Sequence, residues 1–181
     1  MRLFVGFKLS HESLTAINQV PKPQFKIAWT RPENLHVTVR FLGETAPEHV
    51  AAVSACLRDV SQSHSAFKIW AGGAGAFPNA RRARVFWIGI KEESGTLISL
   101  ASAIEKAAVQ LGYQPEKKSY FAHLTIARDK LGRQAEPILN PYNNKDFGVS
   151  LVDRFVLFES VSGPLGVQYK VLEEFALKIV D

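Results

Sequence analysis

One cysteine, Cys56, is all the thiol chemistry that the 181-residue chain holds. An internal disulfide is excluded, as is any metal site built on several cysteines, and a reducing cytoplasm is the expected compartment. No apolar stretch approaches the roughly 20 residues that a membrane-spanning helix needs. The opening MRLFVGFKLS reaches Lys8 after a short apolar run and shows no small-residue cleavage pattern behind it, so no signal peptide is expected. Low-complexity tracts and short-period repeats are also missing. What remains is ordinary for a soluble globular protein, with 46% hydrophobic and 22% charged residues. The length suits one compact domain, or two small lobes sharing a core. A formal charge of +5 favours an acidic partner such as nucleic acid or a phosphorylated metabolite. Apart from the cluster Arg81, Arg82, Arg84, that charge is spread along the chain, so it supports a function without establishing one.

Periodicity divides the chain into strands and helices. Leu3, Val5, Phe7 and Leu9 alternate with Phe4, Gly6 and Lys8, which predicts a half-buried strand. Ser10 is placed to cap a short helix that buries Leu14 and Ile17 and stops at Pro21-Lys-Pro23. A second strand is predicted from Leu35 to Leu42, closed by Gly43. Thr45-Ala-Pro-Glu48 has capping-box spacing ahead of a helix marked by Val50, Val53, Leu57 and Val60. Phe67 to Ala71 alternates as a strand, which the glycine-rich AGGAGAFPN is expected to break before another strand from Arg82 to Ile90, the two forming a hairpin. Leu97, Leu100, Ala101, Ile104, Ala108 and Leu111 form an apolar helical stripe ending at Gly112. Beyond it come a strand across Ala122–Arg128, a polar loop through Asn144, and strands near Leu151–Glu159 and Gln168–Ile179. Antiparallel connections fit this order, so the fold class is α+β: one bilobal domain over 1–181, with pseudo-two-fold-related lobes of antiparallel sheet, outer helices and a central cleft.

The chemistry is carried by a triplet that occurs once in each half. LHVTVRFLG (Leu35 to Gly43) and AHLTIAR (Ala122 to Arg128) each hold a His-x-Thr on a strand-like run. Strand side chains alternate, so His36, Thr38 and Arg40 share one face while Val37, Val39 and Phe41 take the other. His123 and Thr125 likewise share a face, opposite Leu124 and Ile126. If the lobes pack with two-fold symmetry, both imidazoles look into one cleft. A neutral imidazole can take a proton from water while an imidazolium gives one to a leaving oxygen, as in-line attack on a phosphodiester requires. Thr38 and Thr125 would donate hydrogen bonds to the non-bridging oxygens, and no metal is needed. The competing view is that both are buried structural histidines bonded to backbone.

At these residues the chain resembles the bacterial and archaeal RNA 2′,3′-cyclic phosphodiesterases, formerly called 2′-5′ RNA ligases, of the two-histidine phosphoesterase superfamily. RLFVGF, WTRPENLHVTVRFLGE, FPNARRARVFWIGI and LFESVSGPLGVQYKVL carry the likeness as well, over nearly the whole chain. The resemblance implies a bilobal α+β fold and hydrolysis of RNA terminal 2′,3′-cyclic phosphates to 2′-phosphates, with no metal or other cofactor. Joining of RNA ends through a 2′-5′ linkage is the related reaction. It further implies that His36 protonates the departing 3′-oxygen, that His123 activates water, and that Arg128 contacts phosphate, although Arg128 is out of phase with His123 and Thr125 on a regular strand. RNA ends are the expected partner, with no membrane, and a monomer is expected. Ala122 stands where the family commonly has proline, which removes a conformational restraint but no reacting group.

Other candidates carry less. Arg81, Arg82 and Arg84 could follow an RNA backbone or form a solvated hairpin tip, and Arg40 reads as an exposed strand arginine. Phe4, Phe77 and Tyr120 could stack a base or pack the core. His11, His49 and His64 lack the spacing of metal ligands, Cys56 reads as a small buried side chain, and AGGAGAF lacks the lysine of a nucleotide-binding loop. Rival functions are another two-histidine phosphodiesterase activity, on 2′-5′ oligoadenylate or RNA 3′ ends, and a non-catalytic RNA-end-binding module.

Overall fold

In the computed structural model, which describes residues 1–164 and 166–179, the first strand, β1 (Arg2–Phe7), is buried on both faces rather than one. Leu3, Val5 and Phe7 enter the main core, while Phe4 enters a small second cluster with Val156 and Phe158. Leu165, within the LFESVSGPLGVQYKVL segment, and Val180 and Asp181 lie outside the described residues. Helix α1 (His11–Asn18) starts as expected, the Ser10 hydroxyl accepting the Ser13 N–H at 3.2 Å. A two-residue strand, β2 (Ala28–Trp29), was not foreseen.

Strand β3 (Val37–Glu44) begins one residue after His36 and runs on through Gly43 instead of ending there. The capping box at Thr45 does not form. Its hydroxyl meets the Tyr113 hydroxyl at 2.9 Å, and a 3-10 turn over Pro47–His49 leads into α2 (Val50–Gln62). The glycine run also departs from expectation: β4 (Phe67–Phe77) passes straight through it and pairs with β5 (Ala83–Lys91). Those glycines make room rather than a break. A Cβ on Gly75 would lie 2.3 Å from the Trp87 ring, so only glycine lets the indole lie across the neighbouring strand.

Helix α3 (Thr96–Gln110) ends as its stripe predicts, with Gly112 at φ 92° and the Tyr113 N–H donating to Ala108 O at 3.1 Å, a Schellman closure. Strand β6 (His123–Arg133) follows, and then a short α4 (Glu136–Leu139) inside the expected loop. The last region holds three strands rather than two, β7 (Asp146–Val152), β8 (Arg154–Gly163) and β9 (Gly166–Ala176), because Asp153 turns a corner between two apolar runs.

The strands form one sheet in the order β7-β4-β5-β6-β3-β1-β8-β9, with β2 added on β6, and the neighbours along this path are antiparallel. The α+β reading therefore holds, and the sheet falls into two four-strand halves that meet where β3 touches β6. Strand, helix and triplet strand recur in each half, as β1-α1-β3 and β5-α3-β6, with the two strands of each unit side by side. Helix α1 packs on β7, α2 and α3 pack on each other, and α3 also backs β3. Among the described residues no helix is long and apolar enough to cross a membrane.

Candidate active site

Val37 and Leu124 are the residue pair that joins β3 to β6. Both are fully buried, pointing down into the core. In antiparallel pairing the next residues on each strand point the other way, which sets His36 across from Thr125 and Thr38 across from His123. All four side chains line one groove of about 460 Å³, together with Arg128. Two triplets 87 positions apart in sequence thus share a single floor, as the sequence reading required.

What the alternation rule missed is an irregularity repeated in both triplet strands. Opposite β1, Val5 pairs with Arg40 and Gly6 with Thr38, which leaves Val39 as an extra residue in β3. Opposite β5, Phe86 pairs with Ala127 and Trp87 with Thr125, which leaves Ile126 extra in β6. Such a bulge reverses the facing of everything beyond it. Arg40 is consequently not an exposed neighbour of His36: it is 7% exposed, ion-paired with Glu105 and Glu116, and donates to Phe41 O at 2.6 Å. Phe41, expected on the core face, comes to the groove instead. The same step in β6 turns Arg128 into the groove and removes the phase objection to its role.

Each imidazole is fixed by the carbonyl two residues before it. His36 Nδ1 donates to Asn34 O at 2.6 Å and His123 Nδ1 to Phe121 O at 2.8 Å, an assignment that leaves the proton off Nε2 of each neutral ring. The Thr38 hydroxyl lies 2.9 Å from His36 Nε2, where it donates to the neutral ring rather than standing free for a ligand. Among the described residues no hydrogen bond reaches His123 Nε2. Burial pushes His36 down to about 4, against the Asn34 carbonyl that favours its charged form, and Lys8, Arg128 and His123 add to the depression. Burial first and Arg128 second also hold His123 below its ordinary value, with the Phe121 carbonyl opposing. Both shifts favour the neutral rings, in a groove that Arg2 and Arg128 also line.

Aromatic rings back both histidines. Phe4 and Tyr169 lie with ring centres 4.9 Å from that of His36, and Phe77 and Phe121 lie 5.2 and 5.9 Å from that of His123. Phe4 and Phe77 are thus walls of the imidazoles. Tyr120 is placed behind β3, donating to Thr38 O at 3.3 Å, and burial raises its phenol well above the ordinary range. Tyr169 and Phe121 were missed because nothing in their local pattern marks them; they matter only through the pairing of distant strands. Gly6, inside RLFVGF, could have been found: a Cβ there would lie 2.6 Å from Val37 O and 3.4 Å from the His36 ring.

The remaining candidates fall outside the groove. Arg81 and Arg82 are exposed at the β4–β5 tip, their N–H groups donating to the Asn79 side chain at 3.0 and 3.1 Å. Arg84 lies toward Asp129, which is ion-paired with Arg133. His11 opens α1, His49 precedes α2, and His64 Nδ1 donates to Val60 O at 2.9 Å. Cys56 is a half-buried free thiol on α2. Among the described residues, no three His, Cys, Asp or Glu side chains gather as metal ligands would.

Known proteins of this shape and sequence are numerous. The family model described as "LigT like Phosphoesterase" matches twice, over residues 11–87 and 88–169, once for each triplet. An RNA 2′,3′-cyclic phosphodiesterase of Archaeoglobus fulgidus is 36% identical over 97% of this chain and 99% of its own. Its namesake in Aquifex aeolicus is 32% identical over 98% and 97%. The crystal structure of E. coli LigT in apo form, 26% identical, superposes with a TM-score of 0.81 over 98% of this chain and 97% of that one.

Proposed function

The chain belongs to the LigT-like phosphoesterase family, and from that membership we propose that it opens the 2′,3′-cyclic phosphate at RNA ends to a 2′-phosphate, with His36 and His123 as acid and base and no metal. The observation that carries this reading is the joint placement of both imidazoles and both threonines on one groove floor, with Arg128 beside them. In the forward step His123 Nε2 takes a proton from water as its oxygen bonds to phosphorus. The bond from phosphorus to the 3′-oxygen breaks, and His36 Nε2 protonates the oxygen that leaves. Arg128, Thr125 and, once released from His36, Thr38 hold the non-bridging oxygens. In the free protein His36 is the more strongly depressed of the two, so its role as acid requires the substrate's anionic phosphate between the rings to raise it. One chain supplies every group, so a monomer suffices. The same groups serve in the same direction when an RNA 5′-hydroxyl replaces water: His123 takes its proton, its oxygen bonds to phosphorus as the 3′-oxygen leaves with a proton from His36, and a 2′-5′ linkage results.

The test is hydrolysis of an RNA ending in a 2′,3′-cyclic phosphate in excess chelator, with phosphorus NMR of the product. A 2′-phosphomonoester formed at an undiminished rate is expected. A 3′-phosphate would overturn the assignment, and loss of turnover in chelator would overturn the metal-free mechanism.

A further inference from the structure

The turn that leads into the first triplet is stitched to two distant parts of the chain. Pro32–Asn34 is a single 3-10 turn, closed by the Asn34 N–H on Arg31 O at 2.9 Å and the Leu35 N–H on Pro32 O at 3.2 Å. Lys8, just past β1, donates through Nζ to Glu33 O at 3.1 Å. Asn34, half-buried, faces two ways. Its carbonyl holds His36 Nδ1, while its side-chain amide donates to Val167 O of β9 at 2.8 Å, across 133 positions of sequence. Because that partner is a carbonyl, the NH₂ end of the amide must face it. Val167 and Tyr169 both line the groove, and the Tyr169 ring stands edge-on to that of His36. The second half has no such stitch. There the carbonyl under the imidazole belongs to Phe121, whose side chain has no hydrogen-bonding group and packs on the rings of Phe77, Trp87 and His123.

We propose that Asn34 is a positioning residue for His36, its side-chain amide tying the tautomer and aim of that imidazole to the β9 strand that walls the groove. For its effect on turnover this rests on the cyclic phosphodiesterase reading. A carbonyl points where its peptide plane points, so the Asn34 carbonyl turns only if the backbone beside it turns. Lys8 holds the peptide before Asn34, and Val167 holds the residue itself. The tautomer of a histidine is set in turn by the bond its other nitrogen makes. With Nδ1–H kept on the carbonyl, Nε2 faces the groove bare, and the proton of an acid arrives and leaves there while the Nδ1 bond persists in both states. With the carbonyl turned away, the neutral ring can carry its proton on Nε2 instead, where Thr38 Oγ1 at 2.9 Å accepts it. The first histidine, unlike the second, therefore answers to the β8–β9 hairpin.

The experiment follows both rings by proton–nitrogen NMR on protein with isotope-labelled histidines, which reports tautomer and titration without substrate. Hydrolysis of adenosine 2′,3′-cyclic phosphate is measured in parallel. Wild-type His36 should carry its proton on Nδ1. In Asn34→Ala and in the similarly sized Asn34→Leu, part of His36 should pass to the Nε2–H form, and its pKa should fall further, since the Asn34 carbonyl favours the charged ring. His123 should stay as it is in both respects. The value of kcat should fall roughly 2- to 12-fold, the effect of losing one hydrogen bond, with KM changed less than about twofold. The main-chain bonds of the turn remain in both variants, and circular dichroism and melting should match wild type. If wild-type protein hydrolyses no cyclic ester while the variants still move His36 alone, the enzymatic reading fails and the link stands. The link is overturned by a wild-type His36 protonated on Nε2, by a His36 unmoved in a folded variant, or by an equal shift at His123, which would mark a general loosening of the groove.

Discussion

The halves around His36 and His123 are built from the same parts and differ in how far each is closed. Both have a triplet strand, a carbonyl two residues upstream that pins Nδ1, and a bulge after the threonine. On the first side the ring is capped by its own threonine, sealed by Phe4, Phe158 and Tyr169, and strongly depressed in basicity. On the second side Nε2 is open, and the residue beyond the bulge is a cation. A duplicated unit therefore supplies matched geometry, while the differences make the two imidazoles unlike, as the proposed acid and base roles require.

The comparison is broken most directly by removing each ring. His36→Ala and His123→Ala should each lower kcat for a 2′,3′-cyclic nucleotide by about 10²–10⁴-fold. Near-normal turnover in either would show that the halves are alike in form only. Next in size, Arg128→Met should cost roughly 10²-fold in kcat/KM, as loss of a pre-aimed donor to developing charge does elsewhere; a loss seen only on long RNA would move Arg128 from the phosphate to the chain.

The threonines sharpen the contrast at a smaller scale. Thr38→Ala and Thr125→Ala should each cost about tenfold, below the range for a full anion-hole donor, but only the first should also shift a titration. Its hydroxyl steadies the neutral form of His36, so removing it should raise the pKa of that ring in a histidine NMR titration and leave His123 in place. Equal shifts in both rings would erase the asymmetry.

The smallest effect is on stability against acid. Folding lowers His36, so between about 6.5 and about 4 the unfolded chain binds more protons than the folded one. The stability this contributes is complete above the upper limit, declines as pH falls through the window, and is gone below the lower one. His36→Gln should flatten that part of a denaturation series, and His123→Gln should do so less.

Much of this site is legible in the sequence because alternation is a local property. His36 with Thr38 and His123 with Thr125 fall on one face of any strand, and the helical stripe to Leu111 with its Gly112 stop is equally plain. The bulges are not legible. Val39 and Ile126 are β-branched apolar residues like their neighbours, with no glycine or proline to mark an extra residue, so Arg40 and Phe41 read as the wrong way round. The glycine run from Gly72 to Gly75 misleads for the opposite reason: glycine usually signals a break, but Gly75 answers to Trp87 on the partner strand, which no local window contains. Likewise Tyr169 approaches His36 only because β8 pairs with both β1 and β9.

The join at Val37 and Leu124 has a consequence for how the enzyme could be damaged. Their methyl groups, buried beneath the groove, act as the spacer that gauges how far apart the two imidazoles stand. On the proposed mechanism, trimming either one would leave both imidazoles in place and still spoil the fit of a phosphorus atom between them, so a fault in the oil of the interior would be read at the bench as a fault in chemistry.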